Sequence, residues 1–179
     1  MPVPSSWDQM LIRSARCEDR NDFARLLLIS APYFPLLWGR KIGPVLGQLF
    51  CCRNNLFSFE NTIFAEIEGR NAGMLLGYDF ATRRTRNLRT GIALFYRLGP
   101  RMLKHFRTLL KLNATIGRLA PDEYYLSNLA VYPRYRRQGI GEKLLRAAEA
   151  HARNRGCSRV VLDVEKENHP ALPQAPRSG

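Results

Sequence analysis

The stretch "VYPRYRRQGIGEKLLRAAEAHA", residues 131–152, passes from an apolar strand end through a basic, glycine-containing turn into an amphipathic helix. A helix N-terminus exposes backbone N–H groups with no partner in the helix and carries the positive end of the helix dipole, so it binds anions through the backbone itself. In "RRQGIG", Gly139 and Gly141 remove side chains that would hold an anion away from those amides, and Arg136 and Arg137 add charge-assisted donors. Leu144, Leu145, Ala148 and Ala152 recur on one helix face, and Glu142 stands four residues before Arg146 on another, so the helix can dock on a sheet and hold its amides still. A phosphate is the ligand to which this combination points. The spacing lacks the second glycine element of a dinucleotide fingerprint and the Gly-Lys-Ser/Thr of an NTPase loop, which argues against hydride transfer and NTP hydrolysis.

Working outward, "RVVLDV" (residues 159–164) is a β-branched run typical of a buried parallel strand, with Gly156 as a cap between it and the helix. Upstream, "DEYYLSNLAVYP" (residues 122–133) reads as a strand whose alternation slips between Leu126 and Leu129, which fits a β-bulge and equally fits irregular burial. The unit is strand, turn, helix, strand, and a crossover of that kind puts the two strands in parallel. Towards the N-terminus, residues 10–15 read as a strand, and Phe23, Leu26, Leu27 and Ser30 mark a helix. Residues 31–50 are apolar but broken by Pro32, Pro35, Pro44 and several glycines into short pieces, whose aromatics are expected in the core or a lid. Residues 61–79 form the clearest hairpin, with Gly69, Asn71 and Gly73 supplying the turn.

Between Phe80 and Pro121 there is no acidic residue, while ten arginines and lysines accumulate there. The leading reading is a solvated amphipathic helix; an electrostatic funnel for an anionic ligand and a nucleic-acid surface are the alternatives. The whole chain has a net charge of +13, with 45% hydrophobic and 24% charged residues, a composition suited to one globular domain with anionic partners. Cys17, Cys51, Cys52 and Cys157 have no metal-ligand spacing and are expected as free, mostly buried thiols in a reducing, cytoplasmic setting. No secretory signal and no membrane-spanning run is evident, and no metal site is expected.

Together, "YLSNLAVYPRYRRQGIGEKLLRAAEAHARNRGCSRVVLDV" resembles the GCN5-related N-acetyltransferase superfamily, with residues 136–141 matching its (Arg/Gln)-x-x-Gly-x-(Gly/Ala) acetyl-CoA motif. The resemblance implies an α/β (α+β) acyl-CoA N-acyltransferase-like fold: a mixed sheet flanked by helices, with two parallel strands splayed around the pantetheine arm of acetyl-CoA. It also implies that the backbone of Leu129, Ala130 and Val131 holds that arm, and that Arg136, Arg137, Gln138, Gly139, Ile140 and Gly141 hold the pyrophosphate. Asn168 matches a family position that contacts the cofactor. The implied reaction is direct acetyl transfer to an amine, on a small molecule or a peptide, without a metal.

The resemblance stops in the tail. A family tyrosine able to protonate the departing thiolate would fall near Ala175, but "ALPQAPRSG" is rich in proline and cannot extend a helix. The expected organisation is therefore a transferase domain over residues 8–169 and an atypical tail over 170–179, with the last strands lost by truncation or frameshift. An open strand edge would then favour self-association, so a homodimer is one expected assembly. No general base or acid is assigned: Tyr124, Tyr125, Ser127 and Asn128 lie in the strand, Asp122 and Glu123 read as solvated loop acids, and His105, His151 and His169 as surface residues. A CoA-binding or partner-binding module without catalysis is the second reading, and a basic nucleic-acid-binding domain the third.

Overall fold

Five strands in the order β1-β2-β3-β4-β5 form one mixed sheet in a computed structural model that describes residues 10–99 and 119–162. The strands are β1 (Leu11–Ser14), β2 (Thr62–Ile67), β3 (Arg70–Asp79), β4 (Glu123–Val131) and β5 (Arg159–Leu162). The first four pair antiparallel and β4 pairs parallel with β5, as the strand–helix–strand reading requires. The helices are α1 (Arg20–Ser30), α2 (Phe34–Trp38), α3 (Ile42–Cys51), α4 (Phe80–Leu98) and α5 (Ile140–Asn154).

Alternation along the strands sends side chains to two separate cores. Phe64, Met74, Leu76 and Ala130 meet α1, α2 and α3 on one face, where the Phe23 and Phe50 rings stack at 4.3 Å. Ile63, Ala65, Leu75, Tyr124 and Leu126 meet α5 on the other, through Ile140, Leu144, Ala148 and Ala152. The broken apolar stretch does form short helices: Pro35 and Pro44 lie in the first turns of α2 and α3, where proline is tolerated, and Gly39 ends α2 at φ +80°. Its Phe34 and Trp38 are core residues.

Three expectations need correction. The hairpin turn is the dipeptide Glu68-Gly69, both at positive φ, which leaves Asn71 and Gly73 inside β3. The Asn71 side chain donates to Asp19 and Asp22, at 3.0 Å each, and so ties the sheet to the start of α1. Cys17 and Cys51 are joined in a disulfide because the packing of α1 on α3 brings their backbones to a Cα separation of 4.7 Å, so the premise of four free thiols fails. Cys52 and Cys157 remain free, Cys52 exposed and Cys157 buried. Glu123 is the first residue of β4 and not a loop acid: it pairs with Arg159 at 3.3 Å and accepts the Ala120 N–H at 2.8 Å. Asp122 beside it accepts the Ser158 hydroxyl and closes the start of the parallel pair.

Asn168, His105, His169, residues 100–118 of the basic stretch, and the proline-rich tail lie outside the described residues. Among the described residues no helix is long and apolar enough to cross a membrane.

Candidate cofactor and active site

The phosphate turn is built as a short 3-10 helix, Pro133–Tyr135, followed by two left-handed residues, Arg137 at φ +59° and Gly139 at φ +70°. The first backbone bond of α5 is Lys143 N–H to Gly139 O at 3.1 Å, so the amides of Ile140, Gly141 and Glu142 precede the helical ladder. No side chain caps them. A Cβ built on Gly139 meets nothing within 4 Å, and one on Gly141 only touches Leu129 at 3.8 Å. Packing within the protein thus does not require glycine at 141, where it costs about 0.5–1 kcal/mol of helix propensity relative to alanine. Open space over unpaired amides is what an anionic ligand needs.

The arginines of the turn act unequally. Arg136 donates from Nε to the Val131 carbonyl at 3.3 Å, fixing the turn to the strand end, and Gln138 donates to Arg134 O at the same distance. Arg134 lies over the Tyr135 ring, 4.8 Å from its centroid. Arg137 is exposed.

β4 supplies the neighbouring surface. Its pairing with β5 covers only its first four residues, Glu123 to Leu126, so among the described residues no strand covers its other edge from 127 to 131. Backbone groups of successive strand residues point to opposite edges. The Ala130 carbonyl approaches Gly73 on β3, and Tyr132 N–H donates to Ala72 O at 2.9 Å, which leaves Leu129 and Val131 facing the open edge. Of the three strand residues expected to hold a ligand, Ala130 is turned away.

The expected bulge is present. Leu76 pairs with Asn128 and Gly77 with Leu126, so Ser127 is the extra residue. It brings Ser127 and Asn128 to the α1 face together: Ser127 Oγ donates to Asn128 Oδ1 at 3.0 Å, Asn128 Nδ2 donates to Ser30 Oγ at 2.9 Å, and Ser30 Oγ donates to Leu27 O at 3.0 Å. Behind them Tyr78 is buried near Ser127; burial raises the Tyr78 pKa, while Ser127 and the Arg83 charge pull it down by less. The phenol therefore stays protonated at neutral pH. Tyr125 stacks obliquely on Tyr78, at 5.7 Å between centroids, and Arg83 lies 6.0 Å from the Tyr125 ring. Tyr124 points to the opposite face, beneath α5, where burial pushes its pKa up to about 12.

Sequence reasoning missed Gly73, whose role depends on a partner strand that pattern alone does not place. It also missed Tyr132, whose hydroxyl donates to Asp22 Oδ1 at 2.5 Å and anchors the start of the turn to α1. His151 is half-buried rather than a surface residue. With Tyr124, Glu60 and Arg155 it lines a cavity of ≈ 300 Å³, and burial together with the Arg155 charge lowers its pKa. It lies eleven residues along α5 from Ile140, roughly 16 Å at 1.5 Å per residue, so it takes no part in the turn. Among the described residues no cluster of His, Cys, Asp and Glu could hold a metal ion.

A bulged strand, an open strand edge and a glycine turn at a helix N-terminus define an acyltransferase-type α/β domain. Residues 24–177 match the Acetyltransferase (GNAT) family, and the chain belongs to that family. A protein of Bacillus subtilis (strain 168) named as a ribosomal protein bS18 alanine N-acetyltransferase is 38% identical over 50 residues, 28% of this chain; the match spans about a third, 33%, of that relative's length. Among solved structures, an acetyltransferase aligns over 90% of this chain and 84% of its own, with TM-score 0.60 and 24% identity. An aminoglycoside N-acetyltransferase in complex with CoA aligns over 89% of this chain and 79% of its own, with TM-score 0.51 and 16% identity. These structural likenesses concern the fold.

Proposed function

We propose that the chain binds acetyl-CoA along β4 and the turn before α5, and transfers its acetyl group directly to a primary amine. The observation that carries this reading is the unpaired amide cluster of Ile140, Gly141 and Glu142, adjoining the free edge of β4. The residues fit the group: the amides and Arg137 would hold the pyrophosphate, and the backbone of Leu129 and Val131 the pantetheine amides. Residues 8–169 would form the transferase domain, with Asn168 a further contact.

When bound, acetyl-CoA supplies an activated thioester. The chain's own contribution is to position it, exclude water and manage two protons. The amine must lose a proton before it attacks, and the departing thiolate must gain one. Ser127, half-buried at the bulge with its hydroxyl on Asn128 and the protonated Tyr78 nearby, is the group assigned to proton delivery in this reading. The curated relative is named for transfer to the alanine of a ribosomal protein, which supports an amine acceptor without choosing between a small molecule and a peptide.

The test is release of CoA thiol from acetyl-CoA across a panel of aminoglycosides, polyamines and peptides with free N-termini. Amine-dependent release supports transfer. Acetyl-CoA binding with no release on any acceptor supports the non-catalytic reading instead, and absence of binding overturns both.

A further inference from the structure

Helix α4 has two apolar faces. Thr90 and Leu94 are buried against the body of the protein, and Arg83, Arg86 and Arg97 on that side are engaged: Arg86 pairs with Glu60 at 2.9 Å, Arg83 lies over Tyr125, and Arg97 donates to Ala93 O at 3.1 Å. At 3.6 residues per turn, the opposite side carries Leu88, Ile92, Phe95 and Tyr96, spaced i, i+4, i+7 and i+8. All four are exposed, Leu88 at 73% and Tyr96 at 82%. Arg84 borders this stripe on one flank and Arg89 on the other, both exposed, and neither pairs with a carboxylate among the described residues. A run of large apolar side chains facing water marks an interaction surface.

We propose that this outer face of α4 docks the protein onto an anionic lipid surface, with the apolar stripe entering the headgroup boundary and Arg84 and Arg89 meeting lipid phosphates. Charge complementarity selects this occupant. The stretch from Phe80 to Pro121 carries ten basic residues and no acid, within a chain of net charge +13. A second copy docking through the same face would set arginines against arginines, since a two-fold contact is self-complementary. A nucleic acid would satisfy the arginines but leave Leu88 and Ile92 against phosphate. An interfacial helix instead needs an apolar stripe flanked by basic residues, which α4 has. This inference is independent of the acetyl-transfer reading.

The experiment is co-sedimentation of the full chain with vesicles of phosphatidylcholine alone and with a third phosphatidylglycerol. The expected result is partition onto the anionic vesicles only, weakened by salt. Arg84→Gln with Arg89→Gln lowers it by about fivefold per arginine. Leu88→Gln with Ile92→Gln and Phe95→Gln abolishes it while the melting temperature holds; if the triple variant does not fold, Leu88→Glu alone gives the same direction. Equal partition onto phosphatidylcholine, or no partition, overturns the proposal. So does light scattering that shows a dimer dissolved by the triple variant, or binding to nucleic acid that needs the arginines but not the stripe.

Discussion

A Cβ on Gly73 would lie 2.8 Å from the Ala130 carbonyl oxygen and 3.3 Å from Ile140 Cγ2, so the absence of one side chain on β3 lets β4 and the first residue of α5 close on each other. The clash is with backbone, which cannot step aside as a side chain can. Gly73→Ala is expected to cost about 1–3 kcal/mol as an overpacked site, and to weaken acetyl-CoA binding because it moves both surfaces of the proposed site. Gly69→Ala, strained at φ +72° but in open space at the hairpin turn, is the control: it should cost stability and leave binding alone. Chemical denaturation and acetyl-CoA titration of the two variants distinguish these outcomes.

The bulge makes a kinetic prediction. Ser127→Ala removes the first donor of the hydrogen-bonded row that ends at Leu27 O, and Tyr78→Phe removes the buried phenol beside it. Each should lower kcat by roughly tenfold or more if the row delivers a proton, with KM for acetyl-CoA unchanged. A rise in KM alone would mean that the row only shapes the strand.

Arg13 clamps Asp19 at 2.8 Å and Glu66 at 2.6 Å. Burial raises the Asp19 carboxyl pKa, but hydrogen bonds from Arg13, Asn71 and the Arg16 backbone outweigh it and hold the pKa below its ordinary 3.8. A carboxyl depressed on folding adds stability that is full above its unfolded value and lost as pH falls through the folded one. Asp19→Asn should therefore cost about 1–3 kcal/mol at neutral pH, and the gap from wild type should narrow below about pH 4. Denaturant midpoints across that range read the effect directly.

The Cys17–Cys51 disulfide closes a 34-residue separation between the entry to α1 and the end of α3. A loop of that length corresponds to about 4 kcal/mol on the chain-entropy account. Dithiothreitol should lower the melting temperature of wild type and leave that of Cys17→Ser with Cys51→Ser unchanged. Equal effects on both would show that the cross-link does not form in the folded protein.

The turn, helix and parallel strand from 131 to 162 were legible because local chemistry and periodicity agree there, although β5 is partly exposed rather than buried; the slip between Leu126 and Leu129 was consistent with the bulge and with irregular burial alike. Gly73 was misread as a turn residue because Glu68, a residue type with no preference for positive φ, takes the turn position. The disulfide and the Glu123–Arg159 pair arise from elements far apart in sequence, which periodicity does not report. The outward stripe of α4 was hidden for a different reason: apolar residues on both sides of a helix look alike until one side is buried.

Calorimetric titration with acetyl-CoA, on wild type and Gly141→Leu, tests the central claim most directly. The leucine replaces a helix glycine that packing does not require, so the variant should melt at or above the wild-type temperature. It should also bind acetyl-CoA at least roughly tenfold more weakly, because a side chain then stands over the unpaired amides. Equal affinity in the two folded proteins, or no binding by wild type, would contradict the assignment of the α5 turn as the pyrophosphate site.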